Sequence, residues 1–195
     1  IPAQEHLRRR PLGLTLRKQW PATLDGGARK IPDQLRLSDG RALARAGDGG
    51  WDPLIREGRF ESGRFDDALV DACVELLSGW RPEPAPRWIA AVPSRRQPDL
   101  VPDFARRLAA AVSLPFCGLL NRVGDGPPQR EMRNSAQQAA NVRGEFEVVG
   151  VPPPGPGLLV DDLWYSGWTL TTLGALLREA GSGPIHALVL ALAGA

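Results

Sequence analysis

The residues best equipped for chemistry lie at 157–172, in "GLLVDDLWYSGWTLTT". An apolar run ends on Asp161 and Asp162, then Ser166 and Gly167 break the chain before a helical pattern resumes. Small residues ahead of a helix leave backbone N–H groups open, and the helix start adds partial positive charge. With the Ser166 and Thr169 hydroxyls, that turn forms a cradle for a phosphate. Asp161 and Asp162 stand one turn away, within reach of two vicinal hydroxyls or of a hydrated magnesium ion. A phosphate at one end and a diol at the other describe a ribose 5-phosphate. The plainer alternative is a strand-end acidic pair that only caps the following loop.

Such a site needs elements to present it. "FDDALVDACVELLSGW" places Leu69, Ala72, Cys73, Leu76 and Leu77 on one helical face, with Asp66 or Asp67 as its cap. "RPEPAP" stops that helix and delivers the strand "RWIAAV". From there strand, turn and helix alternate. "PSRRQP" leads into the helix "DLVPDFARRLAAAV", and "LPFCGLL" reads as a second strand. A polar stretch from Asn121 to Asn141 precedes the short strand "GEFEVVG". "GLLVDD" feeds the amphipathic helix "TLTTLGALLREAG", ended by Gly181, and "IHALVLALA" is another buried strand.

Alternating units with apolar strands predict an α/β fold, a doubly wound, mainly parallel sheet with helices on both faces. Ligands of such sheets collect at the carboxyl ends of strands, where "PSRRQP" and "DDLWYSGWT" both fall. Residues 1–50 read as a small irregular or β-rich appendage. There "LGLTLRKQWP" alternates briefly before Pro21, and "DGGARKIPDQLRLSDG" is turn-rich with one weak strand. The expected division is a basic arm and linker at 1–64 and the α/β domain at 65–195.

A length of 195 residues suits one medium domain with a small appendage, and 43% hydrophobic with 24% charged residues suits a globular chain. No apolar run approaches the roughly 18–20 residues of a membrane span. No secretory pattern is present, and the opening Ile1 suggests a trimmed piece, so no membrane partner and a cytoplasmic location are expected. Cys73 and Cys117 read as reduced core thiols. His6 and His186 lack partners at metal-ligand spacing, and His186 reads as a hydrogen-bonded core residue. Trp51, Trp80 and Trp88 read as core or domain-packing residues.

The net charge of +2 hides an asymmetry: residues 1–30 hold seven basic side chains against Glu5 and Asp25, whereas the remainder has 17 arginines against 20 acids. A basic arm on a mildly acidic body fits contact with a phosphate backbone, single-stranded DNA or a DNA end included. A solvated linker is the alternative.

The apolar strand, acidic pair and Ser-Gly-x-Thr turn resemble the phosphoribosyl-pyrophosphate (PRPP) motif of type I phosphoribosyltransferases. The resemblance covers roughly residues 85–195. It implies that Asp161 and Asp162 bind the ribose 2- and 3-hydroxyls, with magnesium reached through the ribose or water, and that Ser166, Gly167 and Thr169 bind the 5-phosphate. In "PSRRQP", Ser94, Arg95 and Arg96 take the pyrophosphate position, and guanidinium forks suit a diphosphate. By analogy "PPQREMRNSAQQAAN" is a lid, with Gln129, Arg130, Asn134 and Gln137 facing ligand or nucleic acid.

Two departures stand out. Tyr165 occupies the position where purine-base enzymes often carry an aspartate acid/base, and a phenol is a poor base at neutral pH. Trp164 and Trp168 bracket the turn, where Trp168 is placed to stack on a nucleobase or to crowd the phosphate. PRPP or nucleotide binding is therefore expected more firmly than transfer. The order "VPSRRQPDLVPDFARRLAAAVSLPF", "PPQREMRNSAQQAANVRGEF", "LLVDDLWYSGWTLT" is similar to the phosphoribosyltransferase-like domain at the C-terminus of some bacterial RecQ-type DNA helicases, and more distantly to ComF competence proteins. That implies helicase core domains elsewhere in a full-length chain, because no Walker pattern occurs here, and a setting in DNA repair and recombination at the nucleoid.

Overall fold

A computed structural model describes residues 12–22, 29–94, 96–124 and 135–193. Its centre is a five-stranded sheet. β1 (Leu12–Gly13) pairs antiparallel with β2 (Leu37–Arg45), and β2 runs parallel to β7 (Ile185–Leu192). β7 is parallel to β6 (Gly157–Trp164), which is parallel to β3 (Trp88–Ala91), giving the order β1-β2-β7-β6-β3. Every residue of β3 is buried, and so is every residue of β6 except Leu163. A strand covered on both faces has no use for alternation, which is why these segments read as unbroken apolar runs.

Helices cover both faces. On one lie α1 (Asp52–Glu57), α2 (Asp67–Trp80) and α3 (Leu100–Ala111), packed on Leu158, Val160, Leu188 and Leu190. Phe65 and Phe104 meet edge to face there, 5.7 Å between centroids. On the other lie α4 (Ser135–Glu145), α5 (Trp168–Glu179) and the antiparallel pair β4 (Leu120–Arg122) and β5 (Phe146–Val148), against Leu159, Ala187 and Val189. The α/β architecture with a mostly parallel sheet and helices on both faces is the expected one. Asp66 caps α2 by accepting the Ala68 amide at 2.8 Å, and His186 Nε2 lies 2.9 Å from the Pro84 carbonyl. Burial pushes the Cys73 thiol up to about 12, as an inert core thiol requires.

Three expectations need correction. First, the division at 64/65 does not fall at a break in the sheet, because β2 lies between β1 and β7 inside it. The turn-rich "DGGARKIPDQLRLSDG" carries into β2, where Leu37 and Gly40 flank a register shift. Asp39 accepts from the Gly40 amide at 2.7 Å, Arg41 Nη1 at 2.7 Å and Trp80 Nε1 at 2.9 Å, so the irregularity is tied to α2. Second, "LPFCGLL" is no full strand: it touches the sheet through the single bridge Ile89↔Phe116 before β4 begins. Pro115 has no N–H to extend that ladder. Third, the polar stretch carries α4 from Ser135 onward, with Ala139 and Val142 buried beneath a polar exterior.

Candidate functional site

The carboxyl end of β3 lies beside the middle of β6, just before the acidic pair. Ala91 is in register with Val160, and the Val92 N–H donates to the Val160 carbonyl at 2.9 Å. That pairing brings the turn after β3, with Ser94 half-buried and Arg96 exposed, alongside the acidic pair on β6. Within this turn the Gln97 amide donates to Ser94 Oγ at 3.4 Å, and Gln97 Oε1 is buried without a hydrogen-bond partner. Arg95, and with it Gln129, Arg130 and Asn134, lies outside the described residues. Gln137 lies on α4, and its side chain is outside the description as well.

The acidic pair is not at the strand end, because β6 continues through Leu163 and Trp164. Both carboxylates are consequently buried, Asp161 at 7% and Asp162 at 8% exposure. Asp161 Oδ1 accepts the Asp162 amide at 2.8 Å, while Asp162 Oδ2 meets Arg59 Nε at 2.7 Å. Burial, and then the Asp162 charge beside it, push Asp161 well above the usual carboxylate range; the amide bond and the Arg59 charge act the other way. The two acids are thus dissimilar. Asp161 is moved toward the neutral acid, able to donate a hydrogen bond, and the Asp162 carboxylate faces Arg59. A donor beside an acceptor matches a vicinal diol.

After Trp164, Tyr165 is 57% exposed and Ser166 is half-buried. Gly167 then sits at φ 81°, where a Cβ would lie 2.4 Å from Trp164 Cζ2, so only glycine closes this turn without strain. α5 begins at Trp168, and its first main-chain hydrogen bond runs from the Thr171 N–H to the Gly167 carbonyl at 3.1 Å. The N–H groups before it have no partner within the helix. No side chain caps this end. Ser166 Oγ, Trp168 Nε1, Thr171 Oγ1 and Thr172 Oγ1 are all buried without a hydrogen-bond partner. Buried polar atoms usually find one, so several in a single turn and helix start mark a place suited to a polar ligand. Thr169 is half-buried in the same first turn.

Two features here had no local signal in the sequence. Arg17 donates to the Ser166 carbonyl through Nε at 3.0 Å and Nη2 at 2.7 Å, and its guanidinium stands 4.9 Å over the Trp168 ring. Trp20 stacks on Trp168, 6.3 Å between centroids at 20°. The Trp168 ring, 2% exposed, is therefore covered by the N-terminal segment. Hydrophobic alternation at Leu12, Leu14 and Leu16 located that segment without saying where it docks. Arg59 is the second feature. It belongs to a π-helical turn, Gly58–Ser62, in a stretch that reads as linker.

The magnesium expected through ribose or water would enter beside a cation already in place. Among the described residues no three His, Cys, Asp or Glu side chains gather where they could hold a metal ion, and the Asp162 carboxylate already faces a guanidinium. Nor is any described helix long and apolar enough to cross a membrane.

No known protein-family model and no curated protein matches the chain. Among solved structures it is similar to adenine phosphoribosyltransferase from Saccharomyces cerevisiae, at 21% identity over 65% of this chain and 67% of that one, with a TM-score of 0.46. A second adenine phosphoribosyltransferase shares 15% identity over 97% and 98% of the two chains, TM-score 0.46. Orotate phosphoribosyltransferase from Aeropyrum pernix shares 19% identity over 90% and 74%, TM-score 0.43.

Proposed function

We propose that this chain is a phosphoribosyltransferase-like domain that binds the ribose 5-phosphate part of PRPP or of a nucleotide at 161–169. Asp161 and Asp162 take the ribose hydroxyls. Ser166, Gly167, Thr169 and the open amides of α5 take the 5-phosphate, and Ser94, Arg95 and Arg96 take the diphosphate, with Tyr165 at the rim and the Trp168 ring buried under Arg17 and Trp20 rather than free to stack on a base. The observation that carries this reading is the Val92–Val160 hydrogen bond, which sets the start of the turn after β3 beside the acidic pair of the neighbouring parallel strand β6. The Arg17 guanidinium on the Ser166 carbonyl adds a cation to the phosphate turn. The sequence similarity to RecQ-type helicase tails supports a place as their accessory domain, with helicase core domains in the same full-length chain and work at the nucleoid in repair or recombination. Exposed Tyr165 supplies no base for transfer, so binding is the proposed activity.

Calorimetric titration with PRPP and with ribose 5-phosphate tests this. Binding is expected to weaken by about tenfold or more in Asp162→Asn and Ser166→Ala. No heat from either ligand, with both variants unchanged, overturns the reading. A second reading, DNA contact through residues 1–30, rests on their seven basic side chains, of which Arg17 and Lys18 are exposed. A DNA affinity that falls with log salt supports it, and one that is flat removes it.

A further inference from the structure

We infer that Arg59 is the resident cation of the acidic pair, so that Asp161 and Asp162 hold a sugar diol without a divalent metal. This rests on the ribose reading above but makes its own claim about charge. Two adjacent carboxyl groups, both more than nine-tenths buried, need a positive partner. Arg59 Nε provides one, 2.7 Å from Asp162 Oδ2, with the guanidinium side chain 32% and the carboxylate side chain 10% exposed.

The contact is built rather than incidental. Arg59 sits one residue into a π-helical turn, a feature that recurs at functional sites. At its start Gly58 is pressed on Phe65, where a Cβ would lie 2.6 Å from the ring. At its end Ser62 Oγ bonds the Arg64 carbonyl at 2.9 Å, and Gly63 closes the turn at φ 69°. The backbone carrying Arg59 is therefore fixed at both ends.

A metal would meet a cation already in place. Magnesium at the pair would stand beside the Arg59 guanidinium, and no third acid joins the pair among the described residues to offset that charge. A guanidinium also does what an ion cannot. It carries five N–H donors, and the bond to Asp162 uses the one on Nε. Its remaining N–H groups can donate to a sugar hydroxyl or phosphate oxygen, while Asp162 keeps its geometry.

Two measurements on the full chain test this. The first is Mn(II) titration without sugar, followed by water-proton relaxation; the second is ribose 5-phosphate calorimetry in EDTA and in excess magnesium. The unchanged chain is expected to show no Mn(II) site that Asp162→Asn removes, and sugar-phosphate affinities equal within about twofold in the two buffers. Arg59→Gln is expected to lose about tenfold in EDTA and to gain a Mn(II) site that a further Asp162→Asn removes. Arg59→Lys, which keeps the charge, retains metal-independent binding and covers the case in which Arg59→Gln does not fold. A Mn(II) site on the acidic pair of the unchanged chain, or ribose 5-phosphate binding that requires magnesium, overturns the inference. If ribose 5-phosphate binds in neither buffer, the broader ribose reading fails, and the Mn(II) titration alone decides the role of Arg59.

Discussion

Asp161 and Asp162 are neighbours in different surroundings: Asp161 Oδ1 accepts the Asp162 amide, and Asp162 Oδ2 meets the Arg59 guanidinium. Asp161 has its folded-state pKa raised, by burial first and the Asp162 charge second. Above the ordinary carboxylate range and below that raised value, the folded chain holds a proton that the unfolded chain has released. Stability from this group is complete at low pH and is lost as pH rises through the window. Asp161→Asn should flatten that slope and raise the thermal midpoint near neutrality by roughly 2–4 °C per kcal/mol recovered, while weakening sugar-phosphate binding. Melting curves across a pH series check it; an unchanged slope in the variant defeats the assignment. The acidic pair itself was legible because both residues lie in one short segment. Arg59 was not, because ion pairs between distant segments leave no periodicity in a sequence, and "REGRFESGRF" has turn composition only.

At the scale of elements, what could be read depended on whether the local pattern agreed with the tertiary setting. α2, α5, β6 and β7 carry strong apolar periodicity or unbroken runs, and all four stand where those patterns put them. β2 was underrated because "DGGARKIPDQLRLSDG" has turn composition, while in the fold Asp39 is recruited by Trp80 of α2. α4 was passed over because its apolar residues are few and its surface polar. The turn into α5 is the most constrained junction. Gly167→Ala places a Cβ at positive φ and against the Trp164 ring, a strain worth about 1–3 kcal/mol from the backbone alone. Chemical denaturation should show that loss, and a variant as stable as the parent would mean that the turn relaxes freely. The same substitution shifts the Ser166 and Trp168 amides, so ribose 5-phosphate affinity should fall with it.

For the molecule as a whole, the sheet draws strands from both sides of residue 64, with β2 between β1 and β7. A fragment beginning at residue 65 lacks β2 and leaves the edge of β7 bare, along with Ala187 and Val189 on its face. Circular dichroism and thermal melting should find that fragment without a cooperative transition, whereas one beginning at residue 12 keeps it. A cooperative melt of the shorter piece would restore the division at 64/65. The chain from Leu12 to Trp20 does two jobs within a few residues: it edges the sheet, with the Leu14 N–H on the Gly40 carbonyl at 3.0 Å, and it covers the turn into α5 through Arg17 and Trp20. Occupancy of the turn and fraying of the sheet margin are then thermodynamically linked. Saturation with ribose 5-phosphate should slow deuterium uptake at Leu14 as well as at the turn. Trp20→Ala should speed exchange along that margin and loosen the ligand as well.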